Sequence, residues 1–151
     1  MSGPPSPMQQ ALAVARKAGE QDEVPIGAVI VDGATGQIVA SAGNCMEALG
    51  DPTAHAEMLA LRAALAKTGT GRLDGHDIYV TLEPCPMCAA AISFARIRRV
   101  YFGAYDPKSG GVEHGPKVFD HATCHHKPEV VGGVEEEAAA SLLKEFFREK
   151  R

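Results

Sequence analysis

Residues 77–88 read Asp-Ile-Tyr-Val-Thr-Leu-Glu-Pro-Cys-Pro-Met-Cys and contain the junction that decides the fold. The first six residues, 77–82, are rich in β-branched and aromatic side chains, which is typical of a strand. A helix is predicted over residues 84–95, because proline is favoured in the first turn of a helix. Cys85 and Cys88 are three residues apart and would lie on one face of that turn. The stretch therefore predicts a strand that leads directly into a pair of cysteines.

The segments on both sides of this junction alternate between helical and strand patterns. Helices are predicted where apolar residues recur at helical spacing, and strands where short apolar runs end at turn residues. The other predicted helices cover residues 7–18, 54–68 and 135–150, and the other predicted strands cover residues 25–31, 37–43, 99–102 and 129–134. Ser6 and Thr53 are the expected N-caps of the first two helices. The order α-β-β-α-β-α-β-β-α predicts a three-layer α/β/α fold with a mixed five-stranded sheet.

The size and composition indicate one soluble domain. The chain has 151 residues, which fits a single domain over residues 1–151 with a short flexible tail at residues 1–6. The hydrophobic fraction is 45% and the charged fraction 23%, and these values exclude disordered and collagen-like chains. The longest mostly apolar run, residues 87–95, is far shorter than a membrane span of about 20 residues. The N-terminus has no pattern of a secretory signal, so we expect a cytoplasmic protein without a membrane partner.

The net charge of −4 argues against a general coat for nucleic acids but not against selective binding of RNA. Basic side chains are locally concentrated in the last ten residues and at Arg96, Arg98 and Arg99. These two concentrations predict a selective, salt-sensitive interaction with one RNA loop.

Two short segments carry the predicted chemistry. One is His55-Ala56-Glu57, and the other contains Cys85 and Cys88. Two thiolates and one imidazole are ligands that zinc prefers, and three protein ligands leave the fourth position open, which is typical of a catalytic site. Taken alone, the cysteines could form a redox dithiol, and His55 with Glu57 could belong to a capped surface turn. Their joint occurrence is the signature of zinc deaminases, and it predicts one zinc ion per subunit.

The expected reaction follows from this ligand set. Zinc lowers the pKa of a bound water to about 7, which makes zinc-bound hydroxide available at neutral pH. Hydroxide attacks the amino-bearing ring carbon of a purine or pyrimidine. Glu57 takes the proton of the water, passes it to the ring nitrogen and helps to protonate the departing amine. Ammonia leaves and a carbonyl remains.

Six stretches make the chain closely resemble the bacterial tRNA adenosine deaminases of the cytidine deaminase superfamily. They are residues 23–29, 43–44, 51–57, 79–85, 102–104 and 146–148. The resemblance implies a cytidine-deaminase-like fold and a homodimer. It also implies hydrolytic conversion of the wobble adenosine in a tRNA anticodon to inosine, with the anticodon stem-loop as the binding partner.

The resemblance also implies roles for residues around the zinc. Asn44 should hydrogen-bond a flipped base, Ile26 and Leu82 should line its pocket, and the Ala56 N–H and the Pro84 carbonyl should face the reacting group. The residues expected to contact the RNA loop are Asp106, Phe147 and Arg148. Phe146 is expected to pack in the core instead, because it lies on the apolar stripe of its helix.

Two other functions stay open from the sequence. The first is a deaminase of a free base or nucleoside, of the guanine or cytosine type. The second is a non-enzymatic zinc or redox module. This chain also departs from the family at Cys45, where many members carry arginine, which removes one possible phosphate contact. The run Cys124-His125-His126 fits no standard metal motif and predicts a surface loop.

Overall fold

The computed structural model describes residues 3–150 and places five strands in one mixed sheet. The strands are β1 (Gly27–Asp32), β2 (Ile38–Gly43), β3 (His76–Leu82), β4 (Arg99–Ala104) and β5 (Glu129–Val131). The helices are α1 (Pro7–Glu20), α2 (Met46–Leu49), α3 (Ala56–Thr68), α4 (Pro86–Phe94) and α5 (Glu136–Glu149). The spatial order of the strands is β2-β1-β3-β4-β5. The predicted sheet is thereby confirmed.

The sheet changes from antiparallel to parallel at β3. Strand β1 pairs antiparallel with both β2 and β3, whereas β3, β4 and β5 are parallel. A parallel neighbour requires a crossover connection, and α4 makes that connection between β3 and β4. The start of α4 is therefore fixed at the carboxyl end of β3.

The central strands are buried on both faces. Ala28, Val80 and Phe102 lie opposite one another on β1, β3 and β4 and face the core layer that includes α3 and α4. Val29 and Tyr79 point to the other face, where α1 and α5 pack. Strands of this kind read as nearly continuous apolar runs, as the sequence of β1 does. The three-layer arrangement is confirmed.

The start of α1 agrees with the sequence prediction, whereas the starts of α3 and α4 differ from it. Ser6 caps α1 and forms a reciprocal capping box with Gln9; Met1 and Ser2 of the predicted tail lie outside the described residues. Thr53 is not the N-cap of α3, because its hydroxyl donates to Asp51 Oδ1 at 2.7 Å, and His55 takes that position. Helix α4 begins two residues later than expected, at Pro86.

The connections differ from the prediction at two further places. The short helix α2 lies in a segment where no helix was expected, and its four residues are too few to show a period. The long connection before β5 contains a single 3₁₀ turn at Val118–Asp120. Strand β5 ends at Val131, earlier than predicted. The final helix starts after Glu135, which adopts a left-handed conformation with φ 56°.

A glycine at the start of β1 sets how closely α1 approaches the sheet. A Cβ on Gly27 would collide with the carbonyl oxygen of Ala11 and lie 2.8 Å from the amide nitrogen of Ala15. We expect Gly27→Ala to lower the free energy of unfolding by about 1–3 kcal/mol, because the helix must move away from the strand. Urea unfolding followed by circular dichroism measures this change.

Gly3→Ala is the matched control, since a Cβ on Gly3 meets nothing within 4 Å. Its free energy of unfolding should stay within about 0.5 kcal/mol of wild type. Equal stability of the two variants would contradict the close packing of α1 on β1.

Candidate metal centre

Three predicted ligands meet beyond the carboxyl end of β3. His55 Nδ1 lies 3.6 Å from Cys85 Sγ and 3.5 Å from Cys88 Sγ. All three donor atoms lie within 4.8 Å of one another, and they are the one such group of His, Cys, Asp or Glu found in residues 3–150. The fold thus places close together the three residues that the sequence predicts as zinc ligands.

The spacing of these donor atoms fits a zinc ion. Zinc binds sulfur at about 2.3 Å and imidazole nitrogen at about 2.1 Å, so two such ligands in a tetrahedral arrangement lie about 3.6 Å apart. The two sulfur–nitrogen distances match that value. The donor set contains two soft thiolates and one imidazole, which zinc prefers over magnesium or calcium. His55, Cys85 and Cys88 would therefore hold zinc and leave one coordination position open.

Two helix starts position the ligands. His55 is the N-cap of α3 and Cys85 is the N-cap of α4, and Cys88 lies in the first turn of α4. The free N–H groups at a helix start favour negative charge, and this helps to keep the cysteines as thiolates. The segment before His55 is tied to the end of β2 by a hydrogen bond of 3.0 Å from the Cys45 N–H to the Ala54 carbonyl.

The two cysteines differ in acidity before metal binds. A hydrogen bond from the Cys88 thiol lowers the pKa of Cys85 to about 5. The same hydrogen bond, together with burial, raises the pKa of Cys88 above its ordinary value. The pair thus holds one thiolate and one thiol, and binding of a divalent cation displaces the remaining proton.

Glu57 lies beside the ligand set but is not part of it. It is in the first turn of α3 and only 4% exposed. Burial raises the pKa of Glu57 to about 7, and the negative charge of Cys85 acts in the same direction. A carboxyl group with this pKa can both accept and donate a proton near neutral pH. The burial and the pKa of Glu57 therefore suit a group that transfers protons.

Asn44 directly follows β2 and is fixed there by its backbone. Its N–H donates to the Ile26 carbonyl at 3.0 Å, and the residue is only 4% exposed. Glu23, also buried, accepts the N–H groups of Glu47 and Ala48 and thereby fixes the short helix that follows Asn44. Sequence reasoning did not give Glu23 a role, because a buried carboxylate that caps a distant helix leaves no local signal.

A cavity of about 500 Å³ brings Asn44 and Phe147 to one side of the molecule. Phe147 is 51% exposed, as expected for a residue outside the core. Phe146 lines the same cavity and is half-buried, so the prediction that it packs in the core is wrong. The end of α5 is held there by an ion pair of 2.8 Å between Lys150 Nζ and Asp22 Oδ1. Arg148 is exposed on the same helix.

The remaining predicted residues are buried or half-buried. Ala56 and Pro84 are buried, and Ile26, Leu82 and Asp106 are half-buried.

The carbonyl of Pro84 accepts the Gly111 N–H at 2.8 Å, which leaves its second lone pair free. The backbone N–H of Asp106 donates to Glu83 Oε1 at 3.0 Å. Glu83 is a second buried carboxylate to which sequence reasoning gave no role.

Two other sequence features have structural explanations. Cys124 forms no second metal group within the described residues, and its Sγ lies 3.3 Å from Ser93 Oγ. The predicted basic cluster is partly neutralised, because Arg98 pairs with Asp77 at 2.8 Å and Arg99 pairs with Glu129 at 3.0 Å. None of the helices in residues 3–150 is long and apolar enough to cross a membrane.

The fold and the ligand set define the class of a zinc-dependent deaminase. Residues 4–104 match the family model of the cytidine and deoxycytidylate deaminase zinc-binding region. The guanine deaminase from Nitrosomonas europaea has a similar structure, with a TM-score of 0.77 and 25% identity, covering 97% of this chain and 85% of that one.

Proteins with higher sequence identity to this chain identify the family within this class. The tRNA-specific adenosine deaminase of Agrobacterium fabrum is 57% identical over 144 residues, covering 95% of this chain and 93% of that protein. The Bacillus subtilis protein of the same name is 46% identical, with coverage of 95% and 88%. A structure from a study of A-to-I editing by tRNA:A34 deaminases has a TM-score of 0.88 and 55% identity, covering 91% and 98%. The chain belongs to the family of tRNA-specific adenosine deaminases.

Replacement of any one ligand should remove the metal. We expect Cys88→Ser to reduce bound zinc from about one ion per chain to a small fraction, because serine supplies no thiolate to the tetrahedral set. Elemental analysis of the purified protein measures the zinc content.

Cys45→Ser and Cys124→Ser are the matched controls, since both cysteines lie outside the ligand group. They should retain full zinc. Equal loss of zinc from a control variant would argue against the three-ligand assignment.

Proposed function

We propose that the chain catalyses hydrolytic deamination of the wobble adenosine in a tRNA anticodon to inosine. The observation that carries this proposal is the pairing of a three-ligand metal site with a buried glutamate whose pKa is about 7. The similarity to tRNA-specific adenosine deaminases over 95% of the chain supports the choice of tRNA as substrate.

Glu57 moves the protons of the reaction. A bound zinc ion supplies Lewis-acid activation of water at neutral pH. The carboxylate of Glu57 accepts a proton from the attacking water as the new C–O bond forms at the amino-bearing ring carbon. Glu57 then gives this proton to the ring nitrogen and assists proton transfer to the amine. The C–N bond breaks, ammonia leaves and the carbonyl of inosine remains.

Residues on three sides orient the base. The side chain of Asn44 hydrogen-bonds the flipped base, and Ile26 and Leu82 form the apolar walls of its pocket. The Ala56 N–H and the Pro84 carbonyl face the reacting group. A flipped base costs little to extract here, because an anticodon loop is already single-stranded.

The surface beside the pocket holds the RNA loop. Phe147 is exposed and stacks on a base, a type of contact that works with any base. Arg148 and Asp106 contact the backbone of the anticodon stem-loop. The cavity between Asn44 and Phe147 supports this arrangement, because it connects the predicted base contact with the predicted stacking residue.

The alternative function is a free-base or nucleoside deaminase of the guanine or cytosine type. Comparing activity on tRNA with activity on small molecules distinguishes the two functions. The purified zinc protein is incubated with tRNA and, separately, with adenosine, guanine and cytosine. We expect inosine at the wobble position of tRNA and little ammonia from the small molecules, because the exposed surface around Phe147 suits an RNA loop. Nucleoside analysis and ammonia release measure the two outcomes.

Glu57→Gln is the control variant for the chemistry. It should retain zinc and lose activity by about 10²–10⁴-fold, because glutamine cannot transfer protons. Ammonia from free bases alone would reject tRNA as the substrate. Near wild-type turnover by Glu57→Gln would remove that residue from the proton transfer.

We further propose that residues 1–151 form a single catalytic domain and that the protein acts in the cytoplasm. All four cysteines are free, and two of them are needed as thiolates. The cytoplasm keeps thiols reduced, which fits that requirement.

We also propose a homodimer that covers the exposed end of α4. Phe94 is 80% exposed, an unusual value for a large apolar side chain on a helix. It lines two grooves of about 240 and 470 Å³. The first groove includes Met58 and Leu65, and the second includes Val118. A second copy of the chain would bury this apolar surface near the metal-ligand helix.

Phe94→Glu should convert the dimer to a monomer, because a charge in an apolar interface is costly to bury. Light scattering after size-exclusion chromatography measures the mass. Leu49→Glu is the control, since Leu49 is 60% exposed elsewhere, and it should remain dimeric. A monomeric wild-type protein would reject the homodimer.

A further inference from the structure

A buried carboxylate next to the metal centre is bonded entirely to one irregular segment. Glu83 follows β3, and its side chain has no solvent exposure. Its Oε1 accepts the Asp106 N–H at 3.0 Å and faces His114 Nδ1 at 2.8 Å. Its Oε2 accepts the N–H groups of Val112, Glu113 and His114 at 3.2, 2.9 and 3.1 Å. All five contacts go to residues 106–114.

The same segment is packed against the first turn of α4. The Gly111 N–H donates to the Pro84 carbonyl at 2.8 Å. A Cβ on Gly111 would lie 2.5 Å from the nitrogen of Pro86, and a Cβ on Gly110 would lie 2.5 Å from Oε2 of Glu83. The backbone of the segment is thus in direct contact with both the carboxylate and the helix that carries the cysteine ligands.

Within residues 3–150, the charge of Glu83 is balanced by these donors. A buried carboxylate without donors would be strongly unfavourable. The segment has no strand or helix of its own between β4 and residue 114. The hydrogen bonds to Glu83 therefore hold this segment in place, as the backbone hydrogen bonds of helices and strands do elsewhere in the fold.

We propose that Glu83 is a positioning residue that fixes residues 106–114, and with them Asp106, relative to the metal-ligand helix. It keeps the RNA loop in register with the metal site and does not touch the reacting atoms. This inference rests on the proposed function, in which Asp106 contacts the tRNA. The effect of losing Glu83 should accordingly appear in the binding of tRNA more than in the chemical step.

Glu83→Gln tests the inference with a defined atomic consequence. The glutamine oxygen can replace Oε2 and keep the three N–H bonds. Its amide nitrogen then replaces Oε1, and this nitrogen cannot accept the Asp106 N–H that Oε1 accepts in the wild type. The variant should therefore release Asp106 selectively. We expect KM for tRNA to rise about tenfold with kcat within about threefold of wild type, the effect of losing one hydrogen bond to a charged group.

Three further measurements separate positioning from general damage. Zinc content should stay equal to wild type. Amide hydrogen exchange measured by NMR should become faster at Asp106 and stay slow at Val112 and Glu113. Asp32→Asn is the matched control, because Asp32 is a half-buried carboxylate at the other end of the sheet, where it accepts the Ala34 N–H at 2.9 Å and lies opposite His76, the first residue of β3. It should leave KM for tRNA unchanged.

A second pair of variants applies if Glu83→Gln does not fold. His114 is partly exposed, so His114→Ala should fold. It removes the contact of 2.8 Å that orients Oε1 of Glu83 towards the Asp106 N–H, so it should raise KM for tRNA and speed exchange at Asp106. His114→Asn should restore both values, because its amide nitrogen occupies nearly the position of Nδ1.

Several results would overturn the inference. These are an unchanged KM in Glu83→Gln, an unchanged exchange rate at Asp106, or an equal KM effect in Asp32→Asn. If Glu83→Gln does not fold, unchanged values in His114→Ala overturn it. If wild-type protein does not deaminate tRNA, the proposed function fails, whereas the exchange measurement still decides whether Glu83 holds Asp106.

Discussion

Two helix N-termini meet beyond the carboxyl end of one strand, and the rest of the structure depends on this meeting. His55 caps α3 and Cys85 caps α4, so each of these ligands is fixed to the start of a helix. Both helices bury their inner faces in the same apolar layer. A change in the packing of either helix would move a ligand, and zinc tolerates only small errors in ligand position. The core thereby determines the geometry of the metal centre.

The mixed sheet explains why the two helix starts coincide. The parallel pairing of β3 with β4 requires a crossover, which sets the start of α4 at the end of β3. The antiparallel pairing of β1 with both β2 and β3 brings the end of β2 beside the segment that leads into α3. Helices α1 and α5 cover the opposite face, so the central strands are enclosed on both sides and form a rigid base for the site.

The sheet, the longer helices and the ligand group could be predicted because each has a local signal in spacing or residue type. Features that depend on distant partners could not. Thr53 looks like a helix cap, but its hydroxyl is used by Asp51. Arg98 looks free for RNA, but Asp77 comes 21 residues earlier in the chain and pairs with it. Phe146 has the spacing of a core residue, yet it is half-buried and lines a cavity together with Phe147.

The two buried glutamates beside the metal centre have identical side chains, but their surroundings shift the two pKa values in opposite directions. Both lose the solvation of water, which acts to raise the pKa of each. Glu83 receives hydrogen bonds from a whole backbone segment, and its pKa is held below the ordinary value. Glu57 has fewer compensating donors and lies near the negative charge of Cys85, and its pKa rises to about 7. A carboxylate that stays ionised suits a fixed structural anchor, whereas one that titrates near neutral pH suits proton transfer. The number of N–H donors that the fold directs at each carboxylate therefore decides which glutamate is suited to anchor a segment and which is suited to transfer protons.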